Sequence, residues 1–388
     1  MTRRTTLVLT VGLAVVLSWL PAGCTEVGQQ HRAGSSGDDQ RAEISHGKIA
    51  FMRQPDIYVM NSDGTGQTNL TRTQTTVGGG AWSPSGKKIA LFARPAGERF
   101  LDIYVINADG TGATNLTRTK ASTEVAPSWS PDSKKITYLR GSDPSGEIYT
   151  DIYVMNSDGT RRTRLIKGRD TKDFEVGFES PVWSPDGEKI AFMRTTRVDF
   201  ANSASSSAAP ATGPSDLYVM KADGTGLNKL SEEMSYAQSP LWSPLWSPDG
   251  KEIAFSGAGE NGEKKYVVNA DGTKPRELLP NVQAHISSYS WSPNGEKIAF
   301  AAVHYRGELD IYVINADGTG QTNLTSTKTI IEGEPSWSPD GKQIAFSRGV
   351  ADDVYDDQDL YVMNADGAGR TRLATNASSP TFAPRKRE

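Results

Sequence analysis

The feature that most constrains this chain is an eleven-residue phrase that keeps returning. "DIYVMNSDGTG" at 56–66 recurs as "DIYVINADGTG" at 102–112, and its tyrosine comes back as Tyr58, Tyr104, Tyr153, Tyr218, Tyr266, Tyr312 and Tyr361, at spacings of 46, 49, 65, 48, 46 and 49 residues. A second phrase, of the type "WSPDGKQIAFS", precedes six of these tyrosines and is headed by Trp82, Trp129, Trp183, Trp246, Trp291 and Trp337. A unit of this size cannot bury its apolar faces alone, so neighbouring copies must share one continuous core. Each unit reads as four short strands, ending at the tryptophan, at "KIAF", at "DIYV" and at "TNLT". Four strands at a period of roughly 40 to 50 residues describe a propeller blade. The spacing therefore predicts an all-β chain, a seven-bladed β-propeller of four-stranded antiparallel blades.

Turn chemistry agrees. "SPDGK" and "NADGTG" place Asp-Gly or a relative between apolar runs, supplying the positive φ that tight hairpins need. "NADG" has the look of part of a calcium loop, but Val105 stands where such a loop would need an acid, so it reads as a hairpin. In "DIYVMN", Ile57 and Val59 face one way and Tyr58 and Met60 the other, so both faces are apolar, as a strand wedged between sheets requires. "LWSPLWSP" offers two tryptophans for one position, and Trp246 is favoured over Trp242 because "DGKEIAF" follows it. The Asn-Leu-Thr triplets at Asn69, Asn115 and Asn323, and Asn376 of "NAS", fit a glycosylation sequon but read as outer-strand residues.

The ends of the repeat do not match its middle. The first unit begins at Lys48–Phe51 with no "WSP" before it, whereas Pro380-Thr381-Phe382-Ala383-Pro384 near the C-terminus repeats Pro335-Ser336-Trp337-Ser338-Pro339 with Phe for Trp. The expectation is that the last segment supplies the strand missing from the first blade, closing 46–388 into one domain and removing the sheet edges that invite aggregation.

Ahead of the repeat, Arg3 and Arg4 followed by the apolar stretch Leu7 to Leu20 read as a signal peptide over 1–23, too short to span a bilayer comfortably. Cys24, the only cysteine, follows "LPAG" in a sequence that resembles a lipobox, so it is expected to be lipidated, with 24–45 as a flexible tether. Export and anchoring to the bacterial membrane, at the cell surface or in the periplasm, follow as expectations. With 42 Lys plus Arg against 46 Asp plus Glu, the chain lacks the basic field that nucleic acid requires.

The units "PSWSPDGKQIAFS", "DLYVMNADG" and "TRLA" resemble the WD40-like repeats of TolB-type β-propellers over residues 46–388. The resemblance implies a periplasmic, non-enzymatic protein that works by binding protein partners. TolB-type proteins pair a six-bladed propeller with an N-terminal α/β domain. This chain instead has seven units, and its tether is too short for that domain. Similar propellers cover the active sites of prolyl-oligopeptidase-like peptidases, but those carry an α/β-hydrolase domain for which the sequence here has no residues.

Catalytic motifs are absent: there is no G-x-S-x-G elbow, no H-E-x-x-H and no P-loop. The histidines, His31, His46, His285 and His304, are scattered. Asp352, Asp353, Asp356 and Asp357 form an acidic loop that reads as solvated, with a calcium ion as the alternative. No other cofactor is expected.

Antiparallel blades send the "SPDG" and "NADG" turns to one end and the remaining connections to the other. Those connections vary freely, from "ARPAGERFL" to "RTTRVDFANSASSSAAPATGPS". Varied loops on a uniform scaffold are where recognition is placed. The connections into the first strands carry Glu124, Phe174, Glu175, Phe178, Glu179, Tyr236, His285, Tyr289, Glu332 and Glu334, expected at the channel mouth to receive a basic peptide, a sugar or a cation. The functional expectation is a monomeric binding propeller whose partner is an envelope protein or peptidoglycan-associated material. The alternative is a metal-assisted lyase or hydrolase acting at the same face.

Overall fold

The computed structural model describes residues 47–72, 77–141, 150–168, 175–197, 212–231, 244–259, 262–278, 286–303, 309–327, 330–350 and 358–384. The segments 1–23 and 24–45, with Cys24, lie outside the described residues.

Strand follows strand in antiparallel groups of four, with no helix among the described residues. The first group is β1 (Lys48–Arg53), β2 (Asp56–Asn61) and β3 (Thr68–Asn69), and the second is β4 (Val77–Trp82), β5 (Lys88–Ala93), β6 (Asp102–Asn107) and β7 (Thr114–Asn115). The third comprises β8 (Thr123–Trp129), β9 (Lys135–Gly141), β10 (Thr150–Asn156) and β11 (Thr163–Ile166). Next come β12 (Glu175–Trp183), β13 (Lys189–Arg197), β14 (Thr212–Lys221) and β15 (Asn228–Lys229), then β16 (Leu245–Trp246), β17 (Glu252–Gly259), β18 (Gly262–Asn269) and β19 (Arg276–Glu277). Last are β20 (Ile286–Trp291), β21 (Lys297–Val303), β22 (Leu309–Asn315) and β23 (Thr322–Asn323), and β24 (Ile330–Trp337), β25 (Gln343–Val350), β26 (Asp359–Asn364) and β27 (Thr371–Ala374). These last two groups are joined by one parallel bridge, Leu309 to Ile331. The final strand, β28 (Ser378–Phe382), pairs with β1, so the first sheet runs β28-β1-β2-β3.

One register repeats throughout. Trp82 faces Ile89, Trp129 Ile136, Trp183 Ile190, Trp246 Ile253, Trp291 Ile298 and Trp337 Ile344. Phe382 faces Ile49 in the same way. Trp246, as expected, takes the strand position. The core is divided into seven apolar clusters, each drawing residues from two successive sheets. The cluster around Phe382, Ile49 and Phe51 is shared with Ala345, Leu360, Val362 and Leu373 of the β24–β27 sheet. Apolarity on both faces of each strand is what such sandwiching needs.

The turns carry the repeat's polar letters. In "WSPDGK" the serine is buried, and its hydroxyl accepts the amide five residues on, at 2.8 to 3.0 Å, in all six copies. In "NADGTG" the aspartate accepts both the amide and the hydroxyl of the threonine two residues on, as Asp109 does from Thr111 at 2.9 and 2.7 Å. Glycine follows because the backbone turns left-handed: Gly159 has φ +83°, and a Cβ there would stand 2.9 Å from the Leu116 carbonyl of the neighbouring sheet. The asparagines of "NLT" work inside the sheet. Asn115 donates to Asp102 at 2.8 Å, and Asp102 also accepts from Thr117 and Thr119.

A bulge interrupts most first strands three residues before the aromatic. Gly79, Ala126, Ser180, Glu334 and Ser379 occupy it with φ of 66°, 53°, 48°, 55° and 54°. The ladder register shifts there.

Candidate functional site

The bulge decides where the rim residues point. Glu124 and Glu332 both stand five residues before a tryptophan. In an unbroken strand they would face away from it, but the extra residue restores the parity. They therefore share the tryptophan's face, pressed against the neighbouring sheet, and both are 0% exposed. Val77, Phe178 and Ala377 fill the same position and are buried too. Glu124, Phe178 and Glu332 thus do not line an open channel mouth, because the bulge turns them into the core.

The two buried acids are cross-strand partners of arginines. Glu124 lies 3.5 Å from Arg140 Nε, and Glu332 lies 3.6 Å from Arg348 Nε. Glu124 is well supplied with donors, taking the hydroxyls of Thr119 at 2.5 Å and Ser122 at 2.6 Å. At Glu332, where Ile330 replaces that serine, no donor among the described residues stands within good hydrogen-bonding geometry of either Oε. Burial pushes both carboxyls above the ordinary carboxylate range, opposed by Ser122, Thr119 and Arg140 at Glu124, and by Thr325 and Arg348 at Glu332.

The remaining rim residues divide. Glu334 is partly exposed and ties two sheets together: its carboxylate accepts from Ser347 Oγ at 2.6 Å, and from the amide and hydroxyl of Ser379 at 2.6 and 2.8 Å. Its own amide donates to Ser288 Oγ at 2.9 Å. Glu179 accepts the Thr195 hydroxyl at 3.4 Å, and the Tyr289 hydroxyl donates to the Ala254 carbonyl at 3.3 Å. Glu175 is placed only through its backbone, opposite Arg197 in the β12–β13 ladder. Phe174, Tyr236 and His285, together with Asp352, Asp353, Asp356 and Asp357, lie outside the described residues. Among the described residues no group of three or more His, Cys, Asp or Glu side chains could hold a metal ion.

The sequence reading missed a recess of about 330 Å³ where β4, β8 and β12 adjoin, lined in part by Ala81, Ala126, Pro127, Ser128, Ser180 and Pro181. The two residues before each "WSP" tryptophan were the available signal, and they looked like plain scaffold. It also missed the arginines toward the far ends of the second strands, Arg53, Arg140, Arg194 and Arg348. Each lies over its sheet's third-strand tyrosine, Tyr58, Tyr153, Tyr218 or Tyr361, at 4.9, 5.5, 5.4 and 5.1 Å.

Comparison with known proteins agrees with this architecture. The family model of the TolB beta propeller domain matches residues 45–212 and 195–386. TolB from Acinetobacter baumannii is similar in structure, with a TM-score of 0.51, 16% identity and coverage of 87% of this chain and 82% of that one. An oligogalacturonate lyase in complex with manganese gives a TM-score of 0.58 at 15% identity, covering 85% of this chain and 86% of that one. A puromycin hydrolase gives 0.62 at 11% identity, covering 84% of this chain but 52% of that one. No curated protein matches in sequence. At these identities the solved structures show the fold alone, while the family model spans nearly every repeat read from the sequence: the chain belongs to the TolB β-propeller domain family.

Proposed function

We propose that the chain is a non-enzymatic recognition module of the bacterial cell envelope, a closed ring of seven blades that binds a protein or peptidoglycan-associated ligand through its variable-loop rim. Closure is supported by the pairing of β28 with β1 and by an apolar cluster shared between the last sheet and the first. The observation that carries the functional reading is the contrast between the two ends of the sheets. One end repeats the same serine and aspartate turns, while the other varies in every blade. Uniform turns answer to the fold, and varied loops on a rigid frame answer to a ligand.

Topology adds an orientation. Gly47, which precedes β1, accepts the Ser62 amide at the uniform turn end. A tether anchored at Cys24 would therefore join the ring on that face and leave the variable rim pointing away from the membrane. A photo-cross-linking residue at Arg99, exposed in the β5–β6 connection, is expected to capture one envelope partner from native membranes. The same residue at Lys134, on the turn face, is expected to capture none. Equal capture from both faces would refute the reading.

The likeness to a lyase solved with manganese keeps a second reading in view, a metal-assisted lyase or hydrolase at the same rim. Stoichiometric metal in the purified protein, lost in His285→Ala or His304→Ala, would establish it in place of the first.

A further inference from the structure

Four second strands carry an arginine in one register, four residues after the isoleucine that faces the aromatic: Arg53, Arg140, Arg194 and Arg348. In each sheet the guanidinium lies over the third-strand tyrosine. What differs is the first-strand residue across the ladder. Opposite Arg140 and Arg348 it is a buried glutamate, Glu124 or Glu332. Opposite Arg194 it is Phe178, which is buried edge-on against Phe192, with ring centroids 5.5 Å apart.

Arg194 therefore keeps the ring contact of its counterparts, 5.4 Å from the Tyr218 ring centroid, without the carboxylate that faces Arg140 and Arg348. Its Nε is buried and has no hydrogen-bond partner among the described residues. The neighbouring acids are engaged elsewhere. Asp216, its partner across the β13–β14 ladder, takes Lys229 at 2.9 Å and Ser231 Oγ at 3.2 Å, and Glu179 takes Thr195. An arginine cannot shed its proton to escape this position. A guanidinium held over a ring has already lost much of its freedom and presents a planar fork whose natural complement is a carboxylate. A buried donor left without an acceptor calls for an explanation in a folded protein.

We propose that Arg194, whose side chain is partly exposed, is a carboxylate receptor on the variable-loop rim, where a ligand's carboxylate supplies the acid that Glu124 and Glu332 supply in the sister sheets. The inference rests on the reading of that rim as the recognition face and names the ligand's chemical class, an acid that is either free or carried on a polypeptide. Tyr218 fixes the plane of the fork, and Phe178 keeps an internal acid from competing.

The test follows the Nε–Hε resonances of the full chain, labelled in its arginines, during titration with sodium glutarate and, separately, with tetraglutamate at constant ionic strength. A saturable shift at Arg194, absent at the exposed Arg161, supports the proposal. Saturation by glutarate points to a free acid, and saturation by tetraglutamate alone points to an acidic polypeptide. Arg194→Lys, which keeps the charge and loses the fork, should weaken saturable binding at least tenfold, as judged by the remaining rim resonances. Phe178→Glu should abolish binding by supplying an internal carboxylate. Equal, unsaturating drift at Arg194 and Arg161, or unchanged binding in Arg194→Lys, would overturn the proposal. That result would leave the cross-linking test of the rim itself untouched.

Discussion

The indole Nε1 of Trp82 donates a hydrogen bond to the carbonyl oxygen of Thr381, 3.0 Å away and 299 positions later in the chain. The same bond recurs between sheets much closer in sequence. Trp129 donates to Ala81 at 3.1 Å, Trp246 to Val182 at 3.3 Å and Trp291 to Leu245 at 3.4 Å. In each case the acceptor is the residue just before the preceding sheet's own aromatic. The C-terminal strand thus takes part in the inter-sheet bonding as β4, β12 and β16 do.

Phe382 is 6% exposed within the cluster that joins the first and last sheets. Phe382→Ala should cost about 3 to 5 kcal/mol, by lost transfer energy and the cavity left behind. Deleting 379–388 should lower the melting midpoint further still, because β1 then becomes an open edge. Phe382→Trp should be close to neutral, since six sheets accommodate tryptophan in this register. Calorimetry of the three variants checks the order.

Glu334 holds β28 through two hydrogen bonds from Ser379 and accepts a third from Ser347 of its own sheet. Because its carboxylate is the acceptor in all three, Glu334→Ala should cost about 2 to 3 kcal/mol in denaturant unfolding. Glu334→Gln keeps one acceptor oxygen and should lose less. If both variants unfold with the parent, β28 draws nothing from this contact.

The two buried glutamates make stability fall as pH rises out of the ordinary carboxylate range. Their carboxyls are raised above the ordinary range by burial, so the folded state holds protons that the unfolded state releases. Their contribution is complete below the ordinary carboxylate pKa and is lost as pH rises through the raised one. Around Glu332, Thr325, Arg348 and Arg370 oppose the shift and Asp310 adds to it. Glu332→Gln should therefore raise the melting midpoint in mildly alkaline buffer and leave it unchanged in acid. Glu124→Gln should gain less, because Glu124 already has Thr119 and Ser122 as donors.

Acid acts in the opposite sense through the turns. Hydrogen bonds from the threonine two residues on hold Asp109, Asp158, Asp223, Asp271 and Asp317 below their ordinary range. Their stabilisation is present above that range and is lost as pH falls through the lowered values. Replacing Thr111, Thr160 and Thr319 with alanine together should lower the melting midpoint at neutral and higher pH, with the difference from the parent closing as pH falls through the lowered values. Melts followed by circular dichroism across a pH series would show whether the difference closes in acid.

Asp102 is buried and accepts from Asn115, Thr117 and Thr119. Asp102→Ala strands those donors and should cost about 2 to 4 kcal/mol, and Asp310→Ala should do the same in the equivalent network. Equal losses in urea would show that the two networks act alike.

The sequence by itself determined what is local or repeated. Strand grouping, the aromatic register, the serine and aspartate turns and the pairing of the last segment with the first all follow from period, turn chemistry and the match of Phe382 to Trp337. Each of these is legible inside one unit or by laying one unit over another. Tertiary structure decided where the rim side chains go. One extra residue in the first strand reverses parity, so Glu124 and Glu332 are buried and cannot meet a ligand, although their letters read as an acidic channel mouth. The solitary state of Arg194 was equally invisible, since its letters match those of Arg140. The difference lies in Phe178, which sits across the ladder, where pairing in space sets the environment of the charge.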